Sequence, residues 1–426
     1  MILKLSKNLS ALTLIQIINL LIPLITLPYL ARVLGVIAFG KLSLCLAIIQ
    51  YIIIFIEYGF HLSVTAKVAE NRNNIKQLNK IFFTTLFAKI ALGFIATLVS
   101  AYAIIYIKQL NDMAFLILCS YGSVIAAVIQ PLWLFQGLER MDIVAKNNVI
   151  FRLLSVPLIF FFINEPNDIY RFALIQSAIA VVSVIFLLVE VKINNLISKF
   201  YLPTLNEIYC HVLEGRHLFV SIAAVSLYTN TNIVMLGLFS NNIAIGYFAA
   251  TDKIKNAFLS ITTPFTQAIY PKVNFLMATD RNSAVTYLVR HFVIYCAVAT
   301  IYSFLIYIFA PILVRALLGE EYLTIVNNLR VLAILPLLVI LTNFYGTQIM
   351  LPLGLKKQFM YLVVIAGFLN ISILIPLISR YEDLGACFAI VLIEFFLTLT
   401  LGYIVHRNFK EFHVNVLEVL WRRKLK

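Results

Sequence analysis

Apolar residues run through this 426-residue chain in long stretches, separated by short clusters of charged and amide side chains. A helix needs about 20 apolar residues to cross a bilayer core. On that measure the pattern predicts spans near 8–30, 38–60, 80–107, 112–136, 147–163, 170–190, 217–239, 243–270, 286–310, 325–351, 358–379 and 384–405. The expected fold class is an all-α integral membrane protein of about twelve transmembrane helices. The longest connections are expected at 61–79, 191–216, 271–285 and 311–324, none roomy enough for a soluble domain. The most polar of them divides the chain into an N-terminal lobe of six helices (1–190), a cytoplasmic inter-lobe loop (191–216), a C-terminal lobe of six helices (217–405) and a basic cytoplasmic tail (406–426). Two bundles around a central cavity, rocking to alternate access, is a common transporter plan. Within the loop, Leu196-Ile197 and Phe200-Tyr201-Leu202 suit either a short interfacial helix or an unstructured connector.

Composition supports the membrane reading, with 62% hydrophobic and 12% charged residues. The net charge of +14 is placed unevenly. Most Lys and Arg fall on connections that share a side with the N-terminus, from Lys4 and Lys7 to Lys356 and Lys357, which predicts both termini to be cytoplasmic. That bias and the basic tail, suited to anionic headgroups, account for the charge without nucleic acid. The first apolar run is too long for a signal peptide and should remain as a helix. Cys45, Cys119, Cys296 and Cys387 fall in predicted spans and Cys210 in a loop, so the spacing suggests neither a disulfide framework nor a metal site. Without a Gly-rich phosphate loop or a catalytic triad pattern, neither a cofactor nor enzyme chemistry is expected.

Charges inside apolar runs are costly, about 2.5–3.5 kcal/mol near the bilayer centre, and usually face a water-filled path. The cations so placed are Lys89, Arg152, Lys253 and Lys255; the acids are Asp252, Glu394 and, nearer helix ends, Glu57 and Glu190. Three-residue spacing lets Asp252 and Lys255 pair on one helix face, leaving Lys253 turned away by about 100°. Pro23, Pro28, Pro131, Pro157, Pro264, Pro336 and Pro376 also fall in spans; packing explains most of them, and Pro23 with Pro28 is the better hinge candidate. Amides and hydroxyls such as Gln16, Asn19, Gln130, Asn230, Asn232, Thr266, Gln267 and Gln348 suit interhelical hydrogen bonds.

Several strings resemble the polysaccharide transporter family, the O-antigen flippases of the superfamily that includes the multidrug and toxin extrusion transporters. They are Leu27-Pro28-Tyr29-Leu30-Ala31-Arg32-Val33-Leu34-Gly35 with Phe39-Gly40, Trp133-Leu134-Phe135-Gln136-Gly137-Leu138-Glu139-Arg140-Met141, Gly246-Tyr247-Phe248-Ala249-Ala250 before Asp252-Lys253, Gln267-Ala268-Ile269-Tyr270-Pro271, Leu351-Pro352-Leu353-Gly354, and Leu384-Gly385-Ala386 ahead of Glu394. The resemblance implies a twelve-helix, two-lobed fold. It implies, as cargo, an undecaprenyl-diphosphate-linked oligosaccharide moved from the cytoplasmic to the periplasmic leaflet of a bacterial inner membrane. Membrane lipids and other polysaccharide assembly proteins are the further partners expected. Asn232 departs from the pattern, standing where many relatives carry an acid; coupling to an ion then needs other groups.

For such a cargo, a cation about 4 Å from a phosphate gains roughly 4 kcal/mol at an effective dielectric of 20. Lys253 is the leading phosphate contact, with Lys255, Lys89 and Arg152 as further cavity cations and Arg32 and Arg290 at its entrances or exits. Interfacial snorkelling competes for Lys253, headgroup anchoring for Arg152 and Arg290, and a structural cap for Arg32. Asp252, Glu394 and Glu57 are candidates for ion coupling; against that, Glu394 also suits a neutral hydrogen bond between helices and Glu57 an interfacial pair. Tyr29, Trp133 and Tyr247 could stack on sugar rings. Two other functions compete: a multidrug extruder, disfavoured by the excess of cations over acids in the spans, and a membrane glycan polymerase, disfavoured by short outer loops.

Overall fold

A computed structural model describes the backbone of residues 2–422, and the side chains of these except residues 2–21, 24, 221, 228, 261–268 and 417–422. Gln16, Asn19, Thr266, Gln267 and the basic residues at either extreme (Lys4, Lys7, Arg422, Arg423, Lys424, Lys426) therefore lie outside the described side chains. Described residues form helices and connections, with no strand among them. Eight stretches there are long and apolar enough to cross a membrane by length and composition, and a bent pair, Leu205–Leu227 with Thr231–Phe239, passes the same test when its two parts are joined.

Two compact units divide the chain, Met1–Ala223 and Ala224–Lys426. The first opens with α1 (Ile2–Glu57), which breaks at Gly35, where φ of 67° suits a residue without a Cβ. It ends on a left-handed pair, Tyr58 and Gly59, and a Cβ on Gly59 would come within 3.0 Å of the Leu218 side chain. Next is α2 (Phe60–Glu70), so the connection expected over 61–79 is mostly helical. Its residues contain no Pro or Gly and put Phe60, Val64 and Val68 on one buried face, a 3.6-residue pattern hidden among polar neighbours.

After the Asn74 cap comes α3 (Ile75–Tyr106), then α4 (Lys108–Asn111) and α5 (Ala114–Ile129). The span expected over 112–136 is interrupted at Gln130-Pro131, where proline supplies no amide hydrogen, and resumes as α6 (Leu132–Gly137). Then follow α7 (Met141–Phe162), a 3-10 turn Pro166–Asp168 and α8 (Ile169–Ile193). In this unit α5 packs along α8, α1 against α7 and α5, and α2 against α6.

Residues 194–204 are non-helical, so no interfacial helix forms at 196–202, and the rest of the expected loop is the first half of α9 (Leu205–Thr229). The connector is fastened to α3: Ser198 N–H donates to Asn79 Oδ1 at 3.0 Å, Phe200 packs on Phe83, and Lys80 pairs with Glu207 at 2.6 Å.

The second unit contains α10 (Thr231–Phe239), α11 (Asn242–Thr279), α12 (Arg281–Leu318), α13 (Val326–Leu332), α14 (Leu335–Asn343), α15 (Lys356–Asn408) and α16 (Lys410–Arg422). Connections expected at 271–285 and 311–324 shrink accordingly. Asp280 alone separates α11 from α12, capping the latter through Asn282 and Ser283 N–H. Gly319 and a 3-10 turn, Glu320–Ile325, follow α12. A π-helical turn, Phe344–Met350, continues α14, and α15 breaks at Glu382. Of the stretch expected as a tail, Lys410–Arg422 forms the docked helix α16, with Phe412 and Val416 buried.

Large apolar side chains cover the outside of both units. Phe94, Tyr102 and Phe161 in the first, and Phe304, Phe368 and Tyr403 in the second, are more than half exposed. Such surfaces belong in hydrocarbon, where every backbone group is satisfied within the helices.

Candidate functional site

In the second unit, polar side chains from α10, α11 and α15 converge on one cavity of about 240 Å³. Asp252 and Lys255, three apart on α11, form an ion pair, and Asn256 Nδ2 donates to the other Asp252 oxygen at 2.8 Å. Across the cavity Glu394 of α15, 7% exposed, accepts from the Thr342 hydroxyl of α14 at 3.3 Å. Thr398, one turn further along α15, sits 3.0 Å from the same hydroxyl. Asn370 and Asn232, both buried, approach at 3.5 Å, the outer limit of a hydrogen bond. Leu335, Val339, Ile390 and Ile393 complete the wall.

Charge decides what this cavity can hold. Two carboxyl groups, Asp252 and Glu394, and one ammonium, Lys255, already committed to Asp252, line it among the described residues. A proton, a cation or a hydroxyl-rich group meets suitable partners in such carboxyl and amide groups. Lys253 lies on the other side of α11: it is exposed and makes no ion pair among the described residues.

The first unit holds a second charged pair. Lys89 of α3 is 1% exposed and donates to Glu57 Oε1 at 2.9 Å and to the Gln130 carbonyl at 3.2 Å. That carbonyl is at the Pro131 break and Glu57 is the last residue of α1, so a single ammonium ties together two interrupted helices. The Glu57 side chain remains about a quarter exposed. Nearby His211 of α9 is buried, 3.0 Å from the Thr85 hydroxyl and stacked on Phe60.

The other expected residues separate. Arg152 is exposed near the middle of α7 rather than a turn from its end, because that helix begins at Met141. Arg290 is exposed and falls inside α12, which starts at Arg281. Arg32 is exposed on α1. Trp133 is not available to a sugar: 2% exposed, it packs on Phe82 in the core with its indole N–H unpartnered among the described residues. The Tyr29 hydroxyl donates to the Ile163 carbonyl at 2.6 Å, which employs it in joining α1 to α7. Asn256, Asn370 and Thr342 went unforeseen; for Asn256 the four-residue spacing from Asp252 was the available signal.

Comparison with known proteins adds to this geometry. Residues 5–277, more than half of the chain, match the family described as polysaccharide biosynthesis protein. The chain belongs to this family. Two relatives carry the name "Putative O-antigen transporter": one from Escherichia coli (strain K12), 32% identical over 95% of this chain and 98% of that protein, and one from Shigella dysenteriae, 27% identical over 92% and 98%. Among solved structures, this member of the polysaccharide biosynthesis protein family resembles the lipid II flippase MurJ in an inward closed conformation. The TM-score is 0.66, with 13% identity and coverage of 98% of this chain and 92% of that one. An inward-facing multidrug resistance MATE transporter of the MOP superfamily matches with a TM-score of 0.54 at 14% identity, covering 90% and 98%. At such identities the likeness concerns the fold: an all-α, multi-pass membrane protein.

Proposed function

We propose that the protein is a flippase that carries a lipid-linked oligosaccharide, an O-antigen or similar repeat unit on undecaprenyl diphosphate, from the cytoplasmic to the periplasmic leaflet. The observation that carries this reading is the likeness to the Escherichia coli O-antigen transporter over 95% of the chain. The fold shared with a lipid II flippase supports it. The reading includes a bacterial inner-membrane location, cytoplasmic termini and twelve crossings, with α1 and α15 each counted as two helices. It also includes cooperation with the other proteins of polysaccharide assembly.

Within it, the exposed cations Lys253, Arg152, Arg290 and Arg32 attract the diphosphate. Lys89 and Lys255 act as pairs with Glu57 and Asp252. The cavity holding Asp252 and Glu394 is the coupling site, where gain and loss of an ion shifts the balance of conformations. The test is a strain lacking its own transporter. Expression of this chain with the enzymes that build its repeat unit restores surface polysaccharide, whereas Lys253→Ala and Lys253→Arg at native protein levels lower it. Full restoration by both variants rules out the phosphate role of Lys253. The fold shared with multidrug extruders favours a second reading, in which overexpression raises drug resistance and leaves surface polysaccharide unchanged.

A further inference from the structure

Polar side chains continue from the Glu394 cavity towards one end of the second unit. Thr342 donates to Glu394, and Thr398 stands 3.0 Å from the same hydroxyl. Three residues after Thr342 comes Tyr345, in the π-helical turn, and four after Thr398 comes Gly402. These two meet: a Cβ on Gly402 would lie 3.2 Å from the Tyr345 ring and 3.6 Å from its hydroxyl-bearing carbon. The glycine thus lets the phenol lie against α15 one turn beyond Thr398. Turns of π-helix within α-helices are frequent at functional sites, and this one begins between Thr342 and Tyr345.

Beyond Tyr345 two imidazoles follow. His413 of α16 stacks on its ring at a centroid distance of 5.7 Å, and His406 of α15, exposed, lies 5.3 Å from His413. One ring nitrogen of His413, Nδ1, is buried and has no hydrogen-bond partner among the described residues. Such a nitrogen is costly in a histidine that only packs, whereas one that takes up and releases a proton needs it free. Around this line, Tyr295 and Cys296 of α12 pack with Tyr345, and Arg407 and Lys410 are exposed. The remaining charges are paired, Arg281 with Glu411 and Asp252 with Lys255.

We propose that this line carries protons between solution and Glu394, through His406, His413, the Tyr345 hydroxyl and the two threonine hydroxyls. The inference rests on the coupling role given to Glu394. From Thr398 to the level of Gly402 and Tyr345 is one helical turn, about 6 Å, a gap that one bridging water closes. Each group accepts a proton from the solution side and passes its own towards the carboxylate. One proton leaves solution and one arrives on Glu394; release runs in reverse. In the test, the full-length protein in phospholipid vesicles is acidified suddenly and the infrared carboxyl band of Glu394, identified by its loss in Glu394→Gln, is followed in time. Tyr345→Phe keeps the ring and removes only the hydroxyl, and should slow the rise of the band on the order of a hundredfold, the contribution of one positioned proton carrier. His413→Ala should slow it too; free imidazole should restore the rate, and pyrazole, similar in shape but weakly basic, should not. Should the alanine variant not fold, Tyr345→Phe alone decides. A band that rises at the wild-type rate in folded Tyr345→Phe, or equal rescue by pyrazole, overturns the relay and leaves the coupling site standing. If no Glu394 band appears in the wild type, the coupling reading falls and the relay with it.

Discussion

At the scale of single residues, the Lys89–Glu57 pair makes an asymmetric prediction. Lys89 is wholly enclosed, whereas Glu57 keeps a quarter of its surface exposed. Removing Glu57 strands a buried ammonium, at a cost of about 3–5 kcal/mol. Removing Lys89 leaves a carboxylate that can still reach water. Glu57→Leu should therefore lower unfolding stability in detergent much more than Lys89→Met, with the double variant between them; equal losses would contradict this account of the pair. Both residues stood out in the sequence because a charge in an apolar run is costly, but Lys89 was expected to line a cavity, whereas it is enclosed against Glu57; the Asp252–Lys255 pair followed from helical spacing. The Gln130 carbonyl did not stand out, since an acceptor released by a proline break carries no side-chain signature. Asn370 and Thr342 were hidden for a related reason: isolated polar residues in spans usually serve helix packing, and only the folded chain brings them beside Glu394.

Among the elements, the spans were legible because their length and apolarity are local properties. The short helices were not. α2 alternates polar and apolar residues over only 11 positions, and its helical state depends on tertiary contact with α6. Gly137 marks that contact: a Cβ there would lie 2.6 Å from Val68 and 2.8 Å from the Thr65 carbonyl. Gly137→Ala should cost about 1–3 kcal/mol by overpacking, measured by thermal unfolding, and an unchanged midpoint would mean that α2 yields easily. The docking of α16 carries a pH prediction. His413 packs against Tyr345 and lies 5.3 Å from His406. Burial, and the neighbouring His406, hold the His413 imidazole below its ordinary value of 6.5. The undocked helix then binds protons more readily, so docking is strongest at neutral pH and weakens as pH falls below about 6.5. The protection of α16 amides, their exchange rate taken relative to the intrinsic rate at each pH, should fall between pH 7.5 and 5.5, and His413→Gln should flatten the change. Protection that is the same at both pH values in the wild type would exclude this role.

For the whole molecule, the apolar pattern led to an all-α membrane protein, and the ordered strings along it led to the family to which the chain belongs. What the pattern could not supply was the long-range part of the charge arrangement: spacing pairs Asp252 with Lys255, but only the fold brings Lys89 to Glu57 and leaves Arg152 and Arg290 exposed on α7 and α12. The central claim is that this chain moves a lipid-linked oligosaccharide between leaflets. Its most direct test is transbilayer movement of a fluorescent oligosaccharide on undecaprenyl diphosphate, in vesicles containing the purified protein, followed by quenching from outside. The account predicts that the protein makes the label on the inner leaflet accessible far faster than in empty vesicles, and that Lys253→Ala slows this. Movement no faster than in empty vesicles, with folded protein present and an ion gradient imposed, would contradict it.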